Sequence, residues 1–108
     1  MRWYGRLRRS SEIAFVRRRG RRAAYAGFAV FVVSGPGSTR VCVSVSKAVG
    51  GAVTRNLVRR RIRGALDMLG AQERAARLLF VAKPGADAVP YERLVRDVAS
   101  AVRLGGAG

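Results

Sequence analysis

Histidine is absent from this sequence. That removes the commonest general base and the commonest metal ligand. A single cysteine, Cys42, excludes an internal disulfide and a cysteine cluster for zinc. It lies in an alternating segment and reads as a small core or sheet-face residue. Acids are scarce, with six Asp and Glu against 22 Lys and Arg. Glu12, Asp67, Glu73, Asp87, Glu92 and Asp97 fall at expected helix ends or exposed helix faces, and no two form a catalytic pair. No nucleophile with its base is visible, and no phosphate loop with Gly-Lys-Ser. The chain on its own is therefore expected to hold no catalytic centre, no metal and no cofactor. No apolar run approaches the roughly 18–20 residues of a membrane span. The opening MRWYGRLRRS is basic, but no apolar segment follows it. A secretory signal is not expected, and the expected location is cytoplasmic.

What is present is positive charge on a chain able to build a core. Its 108 residues suit one domain with one modest core, and 49% of them are apolar. Disorder throughout is incompatible with that apolar content. The net charge of +16 points to nucleic acid or an acidic surface as partner. Arginine far outnumbers lysine, a bias that structured-phosphate sites and a GC-rich genome both produce.

Residues 43–69, VSVSKAVGGAVTRNLVRRRIRGALDML, organise the chain. Val43 and Val45 alternate with Ser44 and Ser46, the period of a strand. Gly50 and Gly51 allow a tight turn. From about Val53 the period changes. Val58, Ile62, Ala65, Leu66 and Leu69 make one helical stripe, with Gly70 as a stop. Asn56, Arg59, Arg60 and Arg63 make another stripe, roughly opposite. Arg55, Arg59 and Arg63 stack like charges four residues apart, and each such pair costs an isolated helix about 0.2–0.5 kcal/mol. A charged stripe is ordinarily a solvated face. With almost no acid interspersed, this one favours an external anion. Arginine's planar fork suits phosphate oxygens at any working pH.

The rest of the chain reads in order. Residues 1–9 are basic and expected to be flexible. Trp3 and Tyr4 there suit either base stacking or packing on the fold. Ser10 or Ser11 can cap a first helix, with Glu12 in its first turn and Ile13, Phe15 and Val16 along it, ending at Gly20. Arg17, Arg18, Arg19, Arg21 and Arg22 straddle that end and complement the helix dipole. Residues 25–33 read as a strand, SGPGS at 34–38 as a turn, and residues 39–45 as the returning strand of an antiparallel hairpin. Residues 77–82, RLLFVA, are a continuous apolar run, as in a central strand covered on both faces. Pro90 opens a last helix with Leu94, Val95, Val98, Ala101 and Val102 buried. The expected class is α+β, a small two-layer α/β sandwich in the order α-β-β-α-β-α. Residues 10–104 form its single domain and residues 105–108 a frayed tail.

Residues 46–63 resemble the signature of the protein subunit of bacterial ribonuclease P. Ser46, Lys47, Gly50, Ala52, Val53, Arg55, Asn56, Arg59, Arg60 and Arg63 match it in order. Ala48, Gly51 and Leu57 depart from it. The element order and the Lys83-Pro84 pair extend the resemblance over essentially the whole chain. It implies a left-handed βαβ crossover, although the general rule for such units is right-handed. It also implies a function: an RNA-binding subunit that helps a catalytic RNA remove the 5′ leader of precursor tRNA. The partners implied are that RNA and precursor tRNA, and Mg²⁺ is expected for the RNA-containing holoenzyme. No membrane and no obligate protein partner are expected. Arg55, Asn56, Arg59, Arg60 and Arg63 would hold the catalytic RNA. Ile13, Arg17, Phe31, Lys47 and Lys83 would line a leader cleft, with Ile13 and Arg17 standing where the family has aromatic residues. Phe31 occupies the family's aromatic sheet position. Phe28, three residues away on the same strand, reads as core. A basic ribosomal or general structured-RNA-binding protein is the alternative. A DNA-binding reading lacks a helix-turn-helix pair or a dimerisation seam.

Overall fold

The computed structural model describes residues 2–70 and 75–106, with side chains described as far as residue 104. Its elements are β1 (Gly5–Arg6), α1 (Ser10–Arg19), β2 (Arg21–Ala24), β3 (Phe28–Ser34), β4 (Arg40–Ser44), α2 (Ala52–Asp67), β5 (Ala76–Ala82) and α3 (Tyr91–Gly106). Single 3-10 turns occupy Lys47–Val49 and Ala86–Ala88. The expected α+β order is present, with two short strands, β1 and β2, added to it.

The sheet order is β1-β4-β5-β3-β2. β4 and β5 are parallel neighbours, so α2 is the crossover between them. β3 is antiparallel to β5, and β2 to β3. The hairpin expected between residues 25–33 and 39–45 is therefore not formed, because β5 lies between β3 and β4. The reason is burial. β5 has apolar side chains for both faces, with Leu78, Leu79 and Phe80 fully buried, and the centre of the sheet is where both faces are covered. The SGPGS loop spans the gap over the start of β5. Arg77 Nη1 donates to the Ser38 carbonyl at 3.1 Å, and Ala76 N–H donates to Thr39 Oγ1 at 3.3 Å.

The hairpin that does form is β2–β3, turning at residues 25–27. The strand expected over 25–33 thus begins three residues later, at Phe28. β2, RRAA, is an edge strand with mostly exposed side chains, so it carries no apolar alternation to reveal it. Gly20 sits between α1 and β2. A Cβ there would come within 2.4 Å of the Val16 carbonyl and 3.0 Å of the Val32 nitrogen, so the sharp exit from α1 admits glycine. At the other end of α1 the N-cap is Arg9, without a side-chain hydrogen bond, and Ser10 is already helical. The expected serine cap is not formed. Glu12 instead pairs with Arg77 at 3.6 Å.

The main core lies between one sheet face and the pair α2 and α3. It contains Phe28, Val30, Phe80, Val58, Ile62, Leu66, Leu94 and Val98. This is the expected two-layer sandwich. On the opposite face α1 adds a partial third layer, where Val16 packs with Leu7 and Leu79.

Residues 2–9 are not a flexible tail. β1 pairs in parallel with Arg40 and Val41 of β4. Leu7 is 2% exposed. Trp3 Nε1–H donates to the Leu66 carbonyl at 2.8 Å, and the Tyr4 hydroxyl donates to Asp67 Oδ1 at 3.0 Å. Both aromatic rings pack against the main core. Two apolar anchors on either side of a strand pairing outweigh the repulsion among the arginines between them. α2 ends at Asp67, before Gly70, and α3 continues through Gly105 and Gly106, where a tail was expected. Glu73 and residues 107–108 lie outside the described residues.

Candidate nucleic-acid interface

α2 divides into two faces as its sequence requires. Val58, Ile62, Ala65 and Leu66 are buried. Asn56, Arg59, Arg60 and Arg63 line one open hollow of about 490 Å³ together with Val53. Arg59 Nη1–H donates to Asn56 Oδ1 at 3.1 Å, which holds that guanidinium along the stripe. Arg60 and Arg63 make no hydrogen bond or ion pair with a described residue. The helix has no acid in its first turn and no side-chain N-cap, and its one acid, Asp67, is engaged by Arg2 and Tyr4. The structure thus brings together four of the five arginine-stripe residues. Arg55 stands apart. It is half-buried, and its Nε is enclosed without a partner.

Arg61 shows why the spacing matters. It lies among these arginines in sequence but points the other way. Its guanidinium donates to the Ala86 and Asp87 carbonyls at 2.9 Å each, and to the Val89 carbonyl. It also sits 5.8 Å from the Tyr91 ring centre. Arg61 staples the turn before α3 and is not available to a ligand.

The second surface is on the α1 side of the sheet. Arg22, Phe31, Leu79 and Cys42 are directly opposed across β2, β3, β5 and β4. Opposed residues share a face, so these four form one row. Val16 and Leu7 cover Leu79, leaving Phe31 and Cys42 half-buried beside Ile13. Arg17 from α1 and Arg22 from β2 place their guanidinium carbons 5.8 and 6.0 Å from the Phe31 ring centre. That is cation–π range. Ile13, Arg17 and Phe31 are therefore brought together as expected. Arg22 joins them, and only the unrecognised strand β2 hid it. Burial pushes the Cys42 thiol up from its ordinary value, against the lowering fields of Arg63, Arg17 and Arg6. Phe28 points to the other face, fully buried against Phe80 at 5.2 Å between ring centres.

The two lysines are placed differently. β4 and β5 are parallel, so Lys47 and Lys83, which follow them, lie at the same end of the sheet. Lys47 is exposed on its 3-10 turn. Lys83 is engaged within the fold, its Nζ donating to the Tyr25 carbonyl at 2.8 Å. Neither contacts the Arg17–Phe31–Arg22 group.

Among the described residues no three of His, Cys, Asp and Glu come together as a metal site. No described helix is long and apolar enough to cross a membrane.

A small α+β domain with arginines free of ion pairs along one helix, and a half-buried aromatic flanked by guanidinium groups on the opposite sheet face, is a basic nucleic-acid-binding protein by class. The model of the Ribonuclease P family matches residues 1–104, and the chain belongs to that family. It is 42% identical to the ribonuclease P protein component of Streptomyces bikiniensis, over 94% of this chain and 93% of that protein. It is 29% identical to the ribonuclease P protein component of Streptococcus pyogenes serotype M49, over 92% of this chain and 84% of that protein. Among solved structures, the RNase P protein of Staphylococcus aureus superposes with a TM-score of 0.79 at 19% identity, covering 96% of this chain and 95% of that one. That of Thermotoga maritima gives 0.76 at 17% identity, covering 88% and 92%. At those identities the structures speak for the fold.

Proposed function

We propose that the α2 face grips the catalytic RNA of ribonuclease P while the Phe31 groove guides the single-stranded 5′ leader of precursor tRNA. As a ribonuclease P protein component, the chain is a tRNA 5′-processing subunit of a ribonucleoprotein endoribonuclease. The observation that carries the finer reading is the division of labour between the two surfaces. One is a row of guanidinium groups without ion pairs on a helix, suited to a phosphate backbone. The other is a half-buried aromatic with cations at its rim, suited to a base stack with phosphates on either side.

In this reading the protein contributes binding and orientation. Asn56, Arg59, Arg60 and Arg63 neutralise phosphates of the catalytic RNA, with Arg55 at their edge. Ile13 and Phe31 form the apolar floor for a leader base, and Arg17 takes an adjacent phosphate. Lys47 remains free to meet the leader at the end of the sheet, and Lys83 shapes the wall beside it. The catalytic RNA breaks the phosphodiester with Mg²⁺. The described acids of this chain do not fit such an ion. Glu12 and Asp67 are each paired with an arginine, at 3.6 and 3.2 Å, and the described acids do not converge. In this reading the metal belongs to the catalytic RNA, and the site of action is the bacterial cytoplasm.

The test adds purified protein to the cognate catalytic RNA at low Mg²⁺ and follows precursor tRNA cleavage. Stimulation of correct 5′ cleavage is expected. Binding to RNA without stimulation would reduce the protein to a general structured-RNA binder.

A further inference from the structure

The arginine hollow on α2 does not end at Arg63. The same side chain also lines a smaller hollow of about 70 Å³ with Arg2, Tyr4 and Arg6, over Val41 and Val43 at the edge of β4. Three arginines thus line it. The carboxylate nearby is Asp67, already engaged by Arg2 Nε at 3.2 Å and by the Tyr4 hydroxyl at 3.0 Å. Arg6 and Arg63 have no such partner among the described residues.

The placement of Arg6 is built. Its backbone is paired with Val41, and Leu7 beside it is buried. On its other side Trp3 is hydrogen-bonded to the end of α2. A free N-terminus would let these cations move apart. Instead the fold sets Arg6 and Arg63 around one hollow, an arrangement that like charges resist unless an anion joins them. The position is defined by the sheet. Val41 and Val43 face the main core, so the hollow lies on the α2 side of the sheet, at its β1–β4 edge.

We propose that Arg6 and Arg63, with Arg2 and Tyr4 at the rim, form a site for one RNA phosphodiester at the β1–β4 edge of the sheet, continuous with the α2 face through Arg63. The inference rests on the reading of α2 as an RNA-binding face. A phosphate of the catalytic RNA and a phosphate of the 5′ leader share the chemistry this site recognises.

Full-length Arg6→Gln, Arg60→Gln and Arg103→Gln proteins, each shown to melt as the parent does, separate the possibilities. Affinity for the catalytic RNA transcript is measured over a range of salt, and the holoenzyme's affinities for precursor and mature tRNA are measured beside it. If the catalytic RNA supplies the phosphate, Arg6→Gln weakens its binding about tenfold and flattens the slope of log K against log salt by about 0.7–0.9. If the leader supplies it, that binding is unchanged, and the precursor-to-mature affinity ratio falls by a similar factor. The site is overturned if Arg6→Gln changes neither quantity while Arg60→Gln weakens RNA binding; the α2 reading then stands alone. It is equally overturned if Arg103→Gln, which lines neither hollow, matches the loss of Arg6→Gln, since that loss would be one of general charge. An inert Arg60→Gln would remove the α2 reading itself, and this inference with it.

Discussion

Phe31 is held between two cations on one half of a sheet face, with its ring half-buried. Base stacking on such a ring is worth roughly 1–3 kcal/mol per base by alanine substitution. Phe31→Ala is therefore expected to lower holoenzyme affinity for precursor tRNA by up to that amount, with little change for mature tRNA. Truncation also removes packing against the α1-side cluster, so the readout is the ratio of the two affinities in a folded variant. A ratio at the parent value would make Phe31 a packing residue. Tyr4 offers a test of a different kind. Burial, then its hydrogen bond to Asp67, push the phenol up to about 12 from an ordinary 10.0. The folded state thus holds the proton longer than the unfolded one. The stabilisation is fully present below about pH 10 and is lost as pH rises through about 12. A phenolate absorbance titration should show a late step near that upper value, missing in Tyr4→Phe. A free N-terminal segment would instead ionise Tyr4 as an ordinary phenol.

At the scale of the element, α2 places arginines of opposite use one position apart. Arg60 points into the open hollow, and Arg61 binds three backbone carbonyls of the fold. Arg60→Ala should leave the melting temperature near the parent value, weaken catalytic-RNA binding and flatten its salt slope by about 0.7–0.9. Arg61→Ala should do the reverse. It removes a charged donor from three part-buried or exposed carbonyls and costs on the order of 1.5–3 kcal/mol of stability, with RNA affinity per folded molecule little changed. Thermal melts and salt-dependent binding on the pair check both halves. Equal behaviour of the two variants would contradict the assignment of faces. The two stripes of α2 were legible in the sequence because an element's own period sets them. What Arg61 would reach was not, because its partners lie 25–28 positions further along the chain.

For the whole molecule the governing quantity is a net charge of +16 on 108 residues. Such a charge repels itself and destabilises the compact state. An anion that binds only the folded form stabilises it by about 2.7 kcal/mol at a hundredfold excess over Kd. Sulfate or phosphate should therefore raise the melting temperature more than chloride at equal ionic strength. Equal shifts would mean simple screening, without a shaped anion site.

The amino-acid sequence by itself determined α2 and its two faces, the central strand β5, the buried stripe of α3, the need for an anionic partner and the family. Each of these is written in one contiguous stretch, in a local period or in composition. Only the tertiary structure decided that β5 separates β3 from β4, because neighbours in a sheet are chosen by who can be covered on both faces. It also decided that residues 2–9 are docked, since their anchors are Val41, Leu66 and Asp67, far away in the chain. It brought Arg22 to Phe31 through the register of β2, a strand too exposed to show an apolar period. Arg6 and Arg63 line one hollow because β1 pairs with β4. Which cations face one another depends on strand pairing and helix docking, and both are settled by burial shared among distant segments.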